Sequence, residues 1–95
     1  MKKILIVGAG GIGKRHIKGY LETKRVLISV VEPNQDKLIK IQKEFLIDKT
    51  YMSIEQANLD QFDLAVICSP ANMHVDAMKI CAQNNLSFMV EKPLS

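Results

Sequence analysis

The chain of 95 residues lacks most of the features that would place it in a specialised class. It has two cysteines, Cys68 and Cys81, with neither the spacing of metal ligands nor the density of a disulfide scaffold. Both fall in apolar segments and read as reduced core thiols, which suits a cytoplasmic protein and calls for no metal. No apolar run approaches the roughly 20 residues that span a bilayer, so no membrane segment is expected. Aromatic residues make up only 5% of the chain. None alternate with basic residues in the manner of a stacking platform, so nucleic acid is not an expected partner. Disorder is excluded by composition, because 47% hydrophobic and 24% charged residues describe an ordinary globular domain. The formal charge of +3 is small but uneven. Lys2, Lys3, Lys14, Arg15, Lys18, Lys24 and Arg25 crowd the first 25 positions and read as solvated faces.

What is present is strongly ordered. The apolar run Ile4-Leu5-Ile6-Val7 leads into Gly8-Ala9-Gly10-Gly11-Ile12-Gly13 and then into a helix-compatible stretch over residues 14–21. The start resembles a signal peptide only superficially: the glycine turn interrupts the run, and Lys14-Arg15 ends it without a cleavage site. Strand, glycine turn and helix in that order form a dinucleotide-binding fingerprint. Gly8 turns the backbone off the strand, Gly10 leaves room for a pyrophosphate, and Gly13 lets the helix sit close to the sheet. Phosphates would meet the free N–H groups at the positive end of that helix, at Gly10, Gly11, Ile12 and Gly13. A glycine turn used only for packing is the simpler alternative.

The remaining segments continue the alternation. Strands are expected over residues 3–7, 25–31, 49–52, 63–68 and 86–90. The first helix should turn inward Ile12, His16 and Tyr20, with Ile17 and Leu21 as further candidates, and His16 is read as a packing residue rather than a ligand. The second strand ends on Glu32, about 20 residues past the glycine turn, where a carboxylate accepts hydrogen bonds from the adenosine ribose and repels a 2′-phosphate. NAD is therefore expected over NADP. Asn34 should cap a helix running to residue 45, and Ser53-Ile54-Glu55-Gln56 has the capping-box pattern. Asn72 should cap the helix after the fourth strand, and Asn85 should end it in a left-handed conformation. Strands and helices in strict alternation imply one α/β domain over residues 1–95. Its fold is a doubly wound parallel sheet of Rossmann type, order 3-2-1-4-5, stopping before the usual sixth strand.

Four features in order carry a closer likeness: the glycine turn followed by His16, the acidic strand end at Glu32, Ser69-Pro70 followed by His74, and Glu91-Lys92-Pro93. On these the chain resembles the N-terminal domain of the glucose-fructose oxidoreductase and inositol dehydrogenase family, Gfo/Idh/MocA. The resemblance implies an NAD(P)-dependent dehydrogenase acting on a hydroxyl of a sugar, a sugar derivative or a polyol. It implies Lys92 as the catalytic residue beside nicotinamide and substrate hydroxyl, with Ser69, Pro70, His74 and Glu91 also at the cofactor. Two positions depart from the family pattern: Ala71 stands where asparagine often follows the proline, and Asn85 replaces a glycine. The family's second domain has no counterpart here, so the chain reads as a truncated domain that binds cofactor weakly and turns nothing over. Ser95 fits the cap of a following helix. Self-association is left open, because the second domain commonly makes those contacts. Two other readings are a stand-alone NAD-sensing module and a flavin- or S-adenosylmethionine-binding Rossmann-like protein. The second of these gives Glu91-Lys92-Pro93 no purpose.

Overall fold

The computed structural model describes residues 1–69 and 71–91. Strands β1 (Lys2–Val7), β2 (Val26–Val31), β3 (Thr50–Tyr51), β4 (Leu64–Ile67) and β5 (Phe88–Val90) alternate with helices α1 (Gly11–Glu22), α2 (Gln35–Glu44) and α3 (Ala71–Gln83). Two short 3-10 turns, Ile54–Gln56 and Leu59–Gln61, lie between β3 and β4. Every strand pairing is parallel and the order is β3-β2-β1-β4-β5. This is the expected Rossmann-type sheet, and its order reverses between β1 and β4, where such folds open a crevice at the carboxyl ends of the strands.

The period of two along each strand divides the core into two layers. Ile4 and Ile6 of β1 face α1 and α2, packing with Ile17, Leu38 and Ile41. Leu5 and Val7 face the other way, toward Ala77 and Cys81 of α3 and toward Ile54, Leu59 and Phe62 of the β3–β4 connection. Leu5, Ile6, Ile17 and Ile41 are wholly buried, and each such side chain contributes roughly 1.5–3 kcal/mol relative to exposure.

Several local expectations are corrected. Helix α1 starts at Gly11 rather than residue 14, so it absorbs the end of the glycine turn. Of the expected inner face only Ile17 is fully buried, beside Gly13, while Ile12, His16, Tyr20 and Leu21 flank it half-buried. The third strand keeps only two of its four expected residues. Ser53 makes no side-chain cap; the Gln56 side chain instead accepts from Met52 N–H at 3.1 Å, and a single 3-10 turn results. Helix α3 starts at Ala71, so Asn72 lies in its first turn and not ahead of it. Strand β5 begins at Phe88 instead of residue 86. The expectations on Pro70, Lys92, Pro93 and Ser95 lie outside the described residues.

Two of the three expected asparagine devices, those at Asn34 and Asn85, are present. The Asn34 side chain accepts from Lys37 N–H at 3.2 Å at the start of α2. Asn85 has φ of 56°, and the backbone after α3 closes with Leu86 N–H donating to Cys81 carbonyl at 2.9 Å and Asn85 N–H to Ala82 carbonyl at 3.1 Å. That is a Schellman ending, with Leu86 and Cys81 packed in one core layer. Replacing Asn85 by alanine should cost about 1 kcal/mol, because a Cβ without a compensating side-chain hydrogen bond is disfavoured in the left-handed region. Asn85→Gly should hold or raise stability. Urea denaturation of the two variants beside the parent measures both effects.

Candidate cofactor-binding site

The site grows from the end of β1. Gly8 N–H donates to Val31 carbonyl at 2.8 Å, and Cys68 N–H donates to Val7 carbonyl at 2.7 Å, so β1 is held on both sides up to the turn. Gly8 then adopts φ of 104°, a conformation open to glycine and strained for other residues. A Cβ there would also lie 2.8 Å from Ser69 N. At Gly13 a Cβ would run into the Gly8 carbonyl oxygen, so this residue lets α1 close over the turn. Gly10 and Gly11 differ: a Cβ at either would meet nothing within 4 Å. The turn is therefore tight where it touches protein and open where a ligand would sit.

Among the described residues no side chain caps the start of α1. Gly10 brings no side-chain cap, and the first turn holds no acidic residue. The leading N–H groups of a helix have no partner within it, and no acidic side chain of the first turn competes for them. An anion fits this end of the helix on charge and on space.

Glu32 follows β2 and is buried, with 6% of its surface exposed. Its Oε1 accepts from Ala9 N–H at 2.8 Å and its Oε2 accepts from Asn34 N–H at 2.9 Å. One carboxylate therefore joins the glycine turn to the start of α2. A carboxylate offers about four acceptor positions, and two of them are used.

Beside Glu32 opens a cleft of about 390 Å³. Gly8, Glu32 and Ser69 line it on one side, and Pro33, Met52, Met73 and Ile80 supply apolar walls. The methionines and Ile80 were not singled out from sequence; a clue was their spacing just beyond strand ends or on one face of α3. Gly10, Gly11, Ile12, Gly13, His74 and Glu91 lie outside its lining. Ser69 and His74 are both more than nine-tenths buried. Among the described residues, Ser69 Oγ and His74 Nε2 have no hydrogen-bond partner. Such groups are costly to bury unmet, and both suit a polar ligand.

His16 does more than pack. Its Nε2 lies 3.1 Å from Glu91 Oε1, and its ring stacks on Tyr20 with centroids 6.1 Å apart. Glu91 is half-buried, with its N–H donating to Ile67 carbonyl at 2.9 Å. Nearby, burial first and the Glu91 charge second push the Cys68 thiol up from its ordinary 9.0 to about 11. Among the described residues no group of three or more potential metal ligands occurs, and no helix is long and apolar enough to cross a membrane.

A family model described as an oxidoreductase family with an NAD-binding Rossmann fold matches residues 2–95. The myo-inositol 2-dehydrogenase of Thermotoga maritima is 26% identical over 98 residues, covering 98% of this chain and 28% of that protein. GenD2 from gentamicin A biosynthesis, solved in complex with NAD, matches with a TM-score of 0.86 at 23% identity, over 98% of this chain and 27% of its own. The WlbA dehydrogenase of Bordetella pertussis, solved with NADH and UDP-GlcNAcA, matches with a TM-score of 0.78 at 22% identity, over 98% of this chain and 29% of its own. The two structural likenesses establish the fold. The chain spans a little over a quarter of the length of these relatives.

The Cys68 shift has a measurable sign. A thiol whose folded value is raised keeps its proton longer in the folded state, so its contribution to stability is present below pH 9 and is lost as pH rises toward 11. Stability should therefore fall across that window, and Cys68→Ser should flatten the fall. Denaturant midpoints from pH 8 to pH 11 provide the check.

Proposed function

The chain belongs to the Gfo/Idh/MocA oxidoreductase family, and from that premise we propose that it is the cofactor-binding domain of an NAD-dependent dehydrogenase acting on a hydroxyl of a sugar, sugar derivative or polyol. The observation that carries the cofactor part is an open, uncapped helix start one residue from the N–H that Glu32 holds. The relatives' names support the substrate class: one is a myo-inositol dehydrogenase, another was solved with a nucleotide sugar.

In this reading the N–H groups of residues 10–13 hold the pyrophosphate, with Gly10 and Gly11 leaving it room. The two free acceptor positions of Glu32 take the adenosine ribose hydroxyls, and the apolar cleft walls at Pro33, Met52 and Ile80 suit a flat heteroaromatic base. A 2′-phosphate would meet the buried Glu32 carboxylate, which favours NAD over NADP. Ser69 Oγ and His74 Nε2 are the unmet polar groups for the other end of the dinucleotide, together with Pro70 at the same turn. Bound there, NAD would supply the acceptor for a hydride from a hydroxyl-bearing carbon. Lys92 carries the chemistry on the strength of its motif: its ammonium would orient the substrate hydroxyl and stabilise the developing alkoxide. The remaining catalytic groups would come from a second domain, so these 95 residues alone would bind cofactor and not turn over.

Calorimetric titration with NAD, NADH and NADP should show a preference for the unphosphorylated dinucleotides that shrinks in Glu32→Ala. Tighter binding of NADP by the parent would refute the role given to Glu32. In a protein that joins this domain to its substrate domain, Lys92→Ala should lower kcat by about 100-fold or more, on the scale of a lost electrostatic stabiliser, and leave the Kd for NAD nearly unchanged. An unaltered kcat would remove Lys92 from the reaction.

A further inference from the structure

We propose that His16 and Glu91 are a positioning pair through which a dinucleotide seated on the glycine turn orders the end of β5 at the nicotinamide side of the site. The inference rests on the cofactor-domain reading above and deepens it. His16 lies on the second turn of α1, the helix whose first turn faces the phosphates, about 7 Å along its axis from Gly11. Its ring is backed by Tyr20 with an interplanar angle of 27°, so it is held from one side. From the other it meets Glu91 Oε1 at 3.1 Å.

Glu91 is fixed twice. Its N–H is tied to Ile67 at the end of β4, and its carboxylate is drawn toward α1 by His16. The side chains keep 23% and 36% of their exposure, so the contact is partly shielded and sits at the protein surface. A contact of this kind adds little to stability by itself. It is placed, however, between the element that receives the phosphates and the residue that precedes Lys92. If bound dinucleotide steadies α1 and β5 together, linkage requires the contact to strengthen dinucleotide binding in return. Only ligands that reach the β5 end should register it.

The test is fluorescence titration of the 95-residue chain with NADH, and calorimetric titration with ADP-ribose, which lacks the nicotinamide. His16→Ala and Glu91→Ala should each weaken NADH binding by about three- to tenfold, and the double variant should weaken it no further than the worse single, the non-additivity of a coupled pair. His16→Gln, which keeps a donor at similar reach, should bind NADH within about twofold of the parent. Every variant should bind ADP-ribose as the parent does, which also shows that each has folded. Variants that bind NADH as tightly as the parent overturn the pair's role and leave the cofactor reading intact. Equal losses for NADH and ADP-ribose overturn it too, since they indicate plain structural damage. A parent that binds neither ligand overturns the cofactor reading and the pair with it.

Discussion

The nucleotide edge of this fold depends on one buried carboxylate. Glu32 is nearly inaccessible, and removing a charge from water is expensive unless hydrogen bonds replace the lost hydration. Ala9 N–H and Asn34 N–H do so, each a charge-assisted bond worth roughly 1.5–3 kcal/mol. The result is mechanical as much as electrostatic. The glycine turn after β1 and the turn after β2 cannot drift apart without unmaking a bond to a buried ion. The same carboxylate that would choose the ribose thus sets the width of the place where the ribose would lie.

A second constraint acts at van der Waals range. Gly8 presses on the start of the β4–α3 turn, and Gly13 presses on Gly8. Three elements converge without a side chain between them: the end of β1, the start of α1 and the end of β4. That convergence brings Ser69 to the wall of the cleft with its hydroxyl unmet. Packing without Cβ atoms and the burial of the Ser69 hydroxyl without a partner among the described residues are one arrangement seen from two sides.

Legibility in the sequence followed the range of the forces. The glycine turn, the Asn34 cap, the Asn85 ending and the acidic strand end are signalled by residues within a few positions of where they act, and the structure places each as expected. The limits of β3 and part of the inner face of α1 differ from expectation because neighbours far off in sequence decide them, and the Ser53 box yields to a competing local contact. Tyr51 pairs beside Val31 for only two residues before the chain turns away, and Met52 N–H takes the Gln56 side chain. His16 looked like a packing residue because its partner Glu91 lies at the far end of the chain. No local pattern marks such a pair.

The lengths of the strands carry a consequence for solubility. The central strands β1 and β2 run six residues each, but the two outermost strands among the described residues, β3 and β5, run two and three. An unpaired strand edge is a template on which another chain can add itself and begin to aggregate, and shortening the edge is one way proteins blunt that hazard. Among the described residues the sheet therefore tapers from a long, buried middle to short outer strands that offer a foreign strand few unpaired groups, even where Met89 stands partly exposed on β5.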